Sequence, residues 1–440
     1  MKKLLICTQS YALHGGVENI VNDLCLELPQ RGWETLLALG KGACYNDVER
    51  YRNQYPNVPI VEIDGVKGTR QSRSEALVKV IKKVKPDIVL SARLFDAYMV
   101  INKLKKHNRR IYFAVTVQAY EPPYFYDMNL FGETVDLCIT SGNMIKKGII
   151  HLSQLPENIV VSIPGGVRTP KKTVRPRTPG KTLRIGYVGR IEQEQKRISD
   201  IFPLLQELDL KQFSYRVDIV GTGLAEDKLR KKLKYWINIG RVIFHGWRQQ
   251  HELYNKFYPA MDCLVHFAHT EGVTIAPREA MSHGVVPIIS QFTGLKAEGH
   301  FLHNINALTF PVGNIDVATE NIQRLITEPE LMKNLSSNAI QSQTGKYSFE
   351  GSMDTWAQAL DECIKRPPMP EMKMKPDLPP DGRLTQYGLS PWLAQRIRDI
   401  FGKRFVHSNP GSEWPTNSGW MTKEAEMEIL RFAKNYEKQL

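Results

Sequence analysis

Two glutamates separated by seven residues, Glu271 and Glu279, form the pattern in this 440-residue chain that most strongly suggests chemistry. They follow an apolar run, Cys263–Phe267, that reads as a buried strand. Pro277 favours the first turn of a helix and Gly284 favours its end. We therefore expect Glu271 in a loop and Glu279 in the opening turns of the helix. So placed, Glu279 can accept hydrogen bonds from the vicinal hydroxyls of a ribose, and Glu271 can hold a hydroxyl of a hexose.

The same segment predicts an anion-binding corner. The backbone amides of Gly272, Val273 and Thr274 precede the helix, and amides at a helix start bind phosphate groups. Two cations, Arg190 and Lys196, follow another apolar run upstream. If they face these amides, they would add positive charge to the same anion-binding corner. The alternative is that the glutamates face solvent and the cations are ordinary surface side chains.

Apolar runs alternate with helical patterns along the chain, as expected of α/β units around parallel sheets. Ligands bind at the carboxyl ends of the strands in such sheets, so we expect a cleft between two doubly wound halves. The predicted strands are Leu4–Cys7, Thr35–Leu39, Ile88–Leu90, Ile111–Val117, Leu137–Ile139 and Ile159–Ile163 in the first half, and Arg184–Val188, Tyr215–Val220, Val242–Phe244, Cys263–Phe267 and Val285–Ile289 in the second.

The segment with the two glutamates resembles the E-x7-E motif of retaining glycosyltransferases of family 4 (glycosyl transferases group 1). A second match is Gly186–Ile191, followed by Gln195-Lys196-Arg197. The resemblance covers about residues 1–365 and implies the GT-B fold, in which two Rossmann-like domains face a cleft. In that family an arginine just after the strand and a lysine a few residues on clamp the donor diphosphate. The resemblance thus assigns these roles to Arg190 and Lys196, with Glu271 as the third catalytic residue and Glu279 as a donor ligand.

Further matches lie on glycine-containing turns. Gly15 and Gly16 resemble the family's Gly-Gly loop, whose backbone approaches the donor phosphate or the acceptor. Gly221 follows a strand as the family's G-x-G turn does, and His245 stands where a loop beside the nucleobase is expected. The resemblance implies donor binding by these residues, but each segment could also be a simple tight turn.

One position departs from the family pattern. Many relatives carry a histidine after the fifth strand of the first domain, near the anomeric carbon, and here the residue is Gln118. The histidine's role is therefore not transferred unchanged. Glu121, three residues on, could orient the acceptor as a base or could be a structural loop residue. Gln118 and Glu121 are the candidates for the acceptor side.

The predicted domain organisation follows from two features of the sequence: a proline-rich, charged segment at 168–181, which we interpret as a linker, and a second proline-rich segment that begins at Pro367. No chemistry is assigned to the extension, whose Trp392, Trp414 and Trp420 we interpret as packing anchors. The predicted parts are an acceptor domain at 1–168, a linker at 169–182, a nucleotide-sugar donor domain at 183–348, a closing helix at 349–366 and a Pro-rich, helical extension at 367–440.

The net charge of +13 is unevenly distributed. Residues 1–182 hold 27 Lys and Arg against 16 Asp and Glu, residues 183–365 hold 20 against 21, and residues 366–440 hold 12 against 9. A basic acceptor half favours an anionic acceptor or an acidic bilayer surface over nucleic acid. No run approaches the ~18 apolar residues of a membrane span, and six scattered cysteines fit a reducing compartment. We expect a cytoplasmic protein, with peripheral attachment to the inner face of the plasma membrane as a further hypothesis.

The sequence thus predicts a metal-independent, retaining glycosyltransferase that uses a nucleotide-diphosphate sugar. The acceptor would be a glycan or a lipid-linked sugar, in bacterial surface polysaccharide or glycolipid assembly. No cofactor or metal is expected, because the histidines lack metal-ligand spacing apart from His266 and His269, which we interpret as strand-end and loop residues. A nucleotide-sugar epimerase on the same fold, a basic nucleic-acid-binding protein and a non-catalytic transferase-like module are the alternatives. The near-neutral second half and the lack of motifs that read RNA or DNA argue against nucleic acid.

Overall fold

The structure is a computed structural model that describes residues 1–107, 110–153, 155–171, 173–272, 274–372, 380 and 382–440. The chain forms two compact units. The first comprises Met1–Ser141, Ile145–Ile163 and Met353–Phe432, and the second comprises Gly142–Met144, Pro164–Ser352 and Ala433–Leu440. Each unit is built on a parallel sheet, which confirms the predicted α/β class.

The described residues of the first unit form a seven-stranded parallel sheet of order β3-β2-β1-β4-β5-β6-β7. The central strand β1 is buried over Leu4–Cys7 because helices cover both faces of such a sheet. The strand order reverses between β1 and β4, and the carboxyl ends of two such strands form a natural ligand site. The strands are β1 (Lys2–Gln9), β2 (Trp33–Lys41), β3 (Ile60–Asp64), β4 (Ile88–Ser91), β5 (Tyr112–Val117), β6 (Leu137–Thr140) and β7 (Val160–Ser162); the helices are α1 (Gly16–Glu27), α2 (Val48–Gln54), α3 (Arg70–Val84), α4 (Asp96–Lys106), α5 (Pro122–Phe131) and α6 (Asn143–Ser153).

In the second unit, the described residues form a six-stranded parallel sheet of order β10-β9-β8-β11-β12-β13, which reverses between β8 and β11. Its apolar core includes Ile185, Val217 and Leu308, all buried. The strands are β8 (Leu183–Val188), β9 (Tyr215–Val220), β10 (Val242–Phe244), β11 (Cys263–His266), β12 (Val286–Ser290) and β13 (Leu308–Phe310); the helices are α7 (Ile201–Leu210), α8 (Glu226–Lys232), α9 (Lys234–Asn238), α10 (Gln250–Glu252), α11 (Tyr258–Ala260), α12 (Ile275–Ser282), α13 (Leu295–Glu298), α14 (Ile315–Thr327) and α15 (Pro329–Gln341).

The C-terminal part of the chain returns to the first unit at Met353. Trp33 donates its indole N–H to Asp361, at 2.9 Å, and Tyr112 donates its hydroxyl to the carbonyl of Ile364, at 3.0 Å. The helix expected to close the second domain thus lies mostly in the first unit, and residues 169–182 belong to the second. The remaining helices are α16 (Phe349–Lys365), α17 (Arg383–Gln386), α18 (Pro391–Ile400) and α19 (Lys423–Gln439).

A short C-terminal segment around Trp414 covers the carboxyl ends of β2 and β3. The Trp414 side chain is fully buried, and a Cβ at Gly40 or Gly65 would lie 2.6 Å from its indole. Both positions therefore need glycine. The neighbouring carboxylate of Glu413 accepts backbone N–H bonds of 2.7–2.9 Å. Their donors are Ala43, Cys44, Tyr45 and Asn46.

The expectation that the tryptophans of the extension are packing anchors is confirmed for Trp414 and is wrong for Trp392, which is 54% exposed. Trp414 fills the space left by two glycines, whereas Trp392 lies on the outer face of α18. Among the described helices, none is long and apolar enough to cross a bilayer.

Candidate functional site

The loops after β8 and β11 hold the charged residues that the sequence singled out in the second unit. These two strands are the neighbours between which the strand order reverses. Arg190 and Lys196 follow β8, and Glu271 follows β11. Because parallel strands end at the same edge of the sheet, the three side chains gather at the expected ligand-binding position.

Glu271 and Lys196 form a buried ion pair. The Lys196 ammonium donates to Oε1 of Glu271, whose side chain is 4% exposed. Nε2 of His266, the last residue of β11, lies 3.0 Å from the same oxygen. Burial alone would raise the pKa of Glu271, but Lys196 and His266 lower it to about 2. Glu271 is therefore ionised at neutral pH.

His266 is the neutral partner in this group. Burial lowers its pKa and Lys196 lowers it further, whereas Glu271 raises it, and the net shift is downward. An ionised carboxylate can only accept hydrogen bonds, so we assign the proton of the neutral imidazole to Nε2, which faces Glu271. The sequence placed His266 at a strand end but gave it no part in the site.

Hydrogen bonds join the two loops that carry the ion pair. The side-chain amide of Gln195 donates to the carbonyl of Thr270, at 3.1 Å, and the backbone N–H of His269 donates to the carbonyl of Gln195, at 3.2 Å. The carboxylate of Glu192 accepts the backbone N–H groups of Gln195 and Lys196, at 2.7 and 3.1 Å. These bonds fix the backbone position of Lys196, from which its side chain extends to Glu271.

Arg190 presents a solvent-accessible cation at the same edge. Its side chain is 66% exposed. One terminal nitrogen lies 3.1 Å from Glu192, and the other donates to Gln195, at 2.6 Å. The Tyr187 hydroxyl donates to the Arg190 carbonyl, at 2.6 Å, and so holds the backbone. The guanidinium is therefore oriented and still open to an anionic ligand.

Glu279 is a buried carboxylate that accepts hydrogen bonds from Tyr258 and Gln250. Tyr258 donates its hydroxyl to Oε2, at 2.7 Å, and Gln250 donates its amide to Oε1, at 2.8 Å. Burial and the nearby carboxylate raise the pKa of Tyr258 well above its usual value, so its phenol stays protonated. Neither partner belongs to the sequence motif.

The start of α12 lies beside this carboxylate. Thr274 is the buried N-cap residue, and its side chain makes no cap hydrogen bond within the described chain. Gly272 precedes it, whereas the predicted ligand Val273 lies outside the described residues. Arg278 fastens the helix by donating to the carbonyls of Gly165 and Tyr347.

Gly221 brings the loop after β9 against the loop after β8. Its φ is +138°, and a Cβ there would lie 1.9 Å from the carbonyl oxygen of Gly189. Its backbone N–H donates to the carbonyl of Gly246, at 2.9 Å. His245 lies beside this turn, where its Nε2 is 2.7 Å from Asp218. The two predicted donor residues thus occupy one corner of the sheet edge.

The carboxyl edge of the first sheet carries two predicted donor ligands, Gly15 and Gly16, and the two acceptor-side candidates, Gln118 and Glu121. Gly15 is the N-cap of α1, and a Cβ there would lie 2.4 Å from a carboxylate oxygen of Glu18; Gly16 has open surroundings among the described residues. Gln118 is half-buried after β5, and its carbonyl accepts the hydroxyl of Ser141, at 3.0 Å. Glu121 is exposed at the start of α5.

Arg93 is a residue of this edge that the sequence analysis missed. It follows β4 with a φ of +64°, a left-handed conformation that is costly for a residue with a side chain. Its Nε donates to the Tyr124 hydroxyl, at 3.2 Å. Burial lowers the pKa of Arg93, but Tyr124, Glu18 and Glu121 raise it above the ordinary value overall. Backbone strain at a switch point suggests a functional position, and a lone arginine gave no such signal in the sequence.

The described residues contain no group of three or more His, Cys, Asp or Glu side chains that could hold a metal ion. The positive charge at the donor-side candidates comes from Arg190 and Lys196. The structure thus brings Arg190, Lys196 and Glu271 together in the second unit, whereas Gly15, Gly16, Gln118 and Glu121 lie in the first.

Comparison with known proteins finds a family to which most of the second unit is similar. The family model of glycosyl transferases group 1 matches residues 169–342. No curated protein sequence matches the chain. The match spans the loops that carry Arg190, Lys196 and Glu271 and the helix α12 that carries Glu279.

Solved structures of GT-B glycosyltransferases share the whole two-sheet fold. The apo lipopolysaccharide outer core galactosyltransferase WaaB is 18% identical, with a TM-score of 0.66 over 82% of this chain and 99% of that chain. Alr3699/HepE of Anabaena, in complex with UDP and glucose, is 16% identical, with a TM-score of 0.65 over 82% and 100%. Sucrose-phosphate synthase of Thermosynechococcus elongatus is 16% identical, with a TM-score of 0.68 over 83% and 100%. The predicted GT-B fold is confirmed.

Replacing Glu271 with glutamine should remove part of the pH dependence of stability. The pKa of Glu271 is lowered from 4.5 to about 2 in the folded chain. Its ionised form therefore stabilises the fold above about pH 4.5, and this contribution is lost as the pH falls toward 2. We expect Glu271→Gln to cost about 2–3 kcal/mol at neutral pH and progressively less below about pH 4.5, measured by urea unfolding.

Glu194 is an exposed glutamate in the loop of Lys196, and Glu194→Gln is the matched control. This variant should follow the wild-type pH profile. A cost of Glu271→Gln that stays constant from neutral to acidic pH would contradict the ionised pair.

Proposed function

We propose, from the glycosyl transferases group 1 domain formed by residues 169–342, that this chain is a glycosyltransferase using a nucleotide-diphosphate sugar. The observation that carries the proposal is the ionised, buried Glu271, paired with Lys196 beside the exposed Arg190 at the switch point of the second sheet. The bound UDP and glucose in the Anabaena neighbour support a nucleotide-sugar donor.

The donor diphosphate is proposed to bind Arg190, Lys196 and the amides around Gly272 and Thr274. Charge-assisted hydrogen bonds from these cations would stabilise the negative charge that develops as the diphosphate leaves. The two side chains supply this charge themselves, so the proposed mechanism assigns no step to a metal ion. These cations and amides suit a leaving group with two phosphates. The cations lie on the loop after β8 and the amides on the loop after β11, so the two groups can contact different phosphate oxygens.

Glu271 is proposed to hold a hydroxyl of the transferred hexose. Its pKa of about 2 makes it a poor proton acceptor and a permanent hydrogen-bond acceptor at neutral pH. It is therefore better suited to positioning the sugar than to general acid or base catalysis. With no enzymic nucleophile assigned, the acceptor would attack on the face from which the diphosphate departs, and the sugar's configuration would be retained.

The nucleoside end of the donor is proposed to bind Glu279. Tyr258 and Gln250 hold its two oxygens in place, and a carboxylate fixed in this way can accept the vicinal hydroxyls of a ribose. Gly221 and His245 would border the nucleobase side of this site. This ordering places the sugar near Glu271 and the ribose near Glu279, with the diphosphate between them.

The acceptor is proposed to bind at the switch point of the first sheet. Arg93 follows β4, and Gln118 and Glu121 follow β5. Gly15 and Gly16 end the loop after β1 and are proposed, as the resemblance implies, to approach the donor phosphate or the acceptor. The excess of 11 positive charges in residues 1–182, from 27 basic and 16 acidic residues, favours an anionic glycan or lipid-linked acceptor. We propose a cytoplasmic role in bacterial surface polysaccharide or glycolipid assembly, with the basic first unit near the anionic inner face of the plasma membrane.

Arg190→Ala should lower kcat for sugar transfer by about 10²–10³-fold, as the loss of one group that stabilises transition-state charge typically does. Arg190 is the better residue to replace because its side chain is exposed and its loss should leave the fold intact. Lys196→Ala would instead leave the buried Glu271 without its ion-pair partner. Transfer is measured with the wild type and each variant on nucleotide-sugar and acceptor panels. Arg230 of α8, paired with Glu226 at 2.7 Å, supplies the control Arg230→Ala.

Normal turnover by Arg190→Ala would contradict the donor site, whereas equal losses in both arginine variants would point to a general charge effect. Analysis of the products formed without acceptor distinguishes a glycosyltransferase from a nucleotide-sugar epimerase, because an epimerase converts the nucleotide sugar when no acceptor is present. Retained circular dichroism and an unchanged unfolding midpoint show that Arg190→Ala is folded.

Arg93→Gly should raise KM for the acceptor by about tenfold to a hundredfold, the effect of losing one charged hydrogen bond. Glycine adopts the observed φ of +64° without strain, so the variant loses the guanidinium but keeps the backbone. Lys85 also has a left-handed φ, +52°, and caps α3 far from the carboxyl edge, so Lys85→Gly is the control. Unchanged acceptor KM in Arg93→Gly, or an equal change in donor KM, would contradict an acceptor role.

A further inference from the structure

Large apolar side chains are exposed over residues 387–406, on α18 and the chain that flanks it. We name this set the C-terminal apolar surface. Its members, with exposed fractions, are Tyr387 (81%), Trp392 (54%), Leu393 (45%), Ile400 (79%), Phe401 (71%) and Val406 (71%). Exposed apolar residues scattered singly are normal in soluble proteins, but six large ones within one short stretch of chain mark an interaction site.

The opposite face of α18 attaches this surface firmly to the first unit. Ala394 and Gln395 are buried, and the side chain of Gln395 contacts the hydroxyl of Thr69. Lys67 donates to Asp399, at 2.7 Å, and its carbonyl accepts the backbone N–H of Phe405, at 3.0 Å. The inward bonds therefore hold α18 in one orientation.

Spacing along α18 separates the two faces. Residues four apart lie on the same side of a helix, so Trp392, Arg396 and Ile400 form one outward row, with Leu393 beside it. Arg396 lies over the Trp392 ring, 5.5 Å from its centroid. The loop after the helix extends the row with Phe401 and Val406.

Exposed cations are interleaved with these apolar side chains. Arg396, Lys403 and Arg404 are all exposed. The only acidic residue in 387–406 is Asp399, and it is paired with Lys67. The surface therefore combines aromatic and aliphatic side chains with positive charge. This combination is typical of helices that lie in the headgroup region of an anionic bilayer.

We propose that the C-terminal apolar surface binds an anionic lipid bilayer. Trp392, Leu393 and Phe401 insert among the headgroups, and Arg396, Lys403 and Arg404 contact lipid phosphates. The proposal deepens the proposed function, on which it rests for the lipid-linked acceptor, and it moves the membrane contact from residues 1–182 to the C-terminal segment. A symmetric pairing of two chains through this surface would set the same cations against each other, which favours lipid over a second copy.

Sedimentation of the full chain with vesicles tests the proposal. One set of vesicles contains phosphatidylcholine and phosphatidylglycerol, and the other contains phosphatidylcholine alone. We expect binding to the anionic vesicles only, weakened by salt. Two double variants, Trp392→Ser with Phe401→Ser and Lys403→Glu with Arg404→Glu, should each lower the vesicle affinity at least tenfold.

Matched controls come from the second unit. Leu210 and Leu224 are 75% and 104% exposed, so Leu210→Ser with Leu224→Ser removes apolar surface elsewhere. Lys231→Glu with Lys234→Glu changes the charge by the same amount at exposed positions. Both control variants should bind vesicles as the wild type does.

Failure of the wild type to bind anionic vesicles would overturn the proposal, as would equal binding by the wild type and both double variants of the C-terminal apolar surface. If the wild type is a dimer and Trp392→Ser with Phe401→Ser makes it a monomer that still binds vesicles, the surface is instead a self-interface. Sugar transfer to a water-soluble acceptor does not require vesicles. If the wild type binds anionic vesicles but transfers no sugar to such an acceptor, the proposed function is contradicted and the membrane proposal is not.

Discussion

The buried ion pair between Lys196 and Glu271 is the constraint on which the rest of the second unit's site depends. A carboxylate with a 4% exposed side chain must be paired to stay ionised, because an unpaired buried charge costs several kcal/mol. The pair forms only if the loops after β8 and β11 run side by side. The Gln195 amide, which donates to the Thr270 carbonyl, and the His269 N–H, which donates to the Gln195 carbonyl, join the two loops. Arg190 is thereby held at the same edge.

Much of the second sheet could be predicted from local pattern. Strands Tyr215–Val220 and Val242–Phe244 occur with their predicted bounds. Two strands were missed: Ile60–Asp64 is an edge strand with mixed polarity and only one fully buried residue, and Leu308–Phe310 spans three residues. Short strands have little periodicity of their own, and their pairing partners stabilise them. The C-terminal course of the chain was missed for a similar reason, because the contacts of Glu413 and Trp414 reach more than 360 residues back.

The candidate site was predictable where its residues are close in sequence. Glu271 and Glu279 share one segment, and Arg190 and Lys196 share another, so spacing was informative for each. Tyr258 and Gln250 donate hydrogen bonds to Glu279, and His266 contacts Glu271. These three residues lie outside the motifs, so only the folded chain shows their contacts. Arg93 stands out through its backbone conformation, which residue type alone does not encode.

Calorimetric titration of the Glu271→Gln variant tests the donor site most directly. The wild type and the variant are titrated with UDP-, GDP-, ADP- and dTDP-sugars, and then with the matching nucleoside diphosphate lacking the sugar. We expect Glu271→Gln to weaken binding of the preferred nucleotide sugar at least tenfold. The diphosphate alone should bind about as tightly as before, because the hydrogen bonds of Gln195 and Glu192 still hold the loop that carries Arg190 and Lys196. Equal affinity of both proteins for the nucleotide sugar would contradict the placement of the hexose at Glu271.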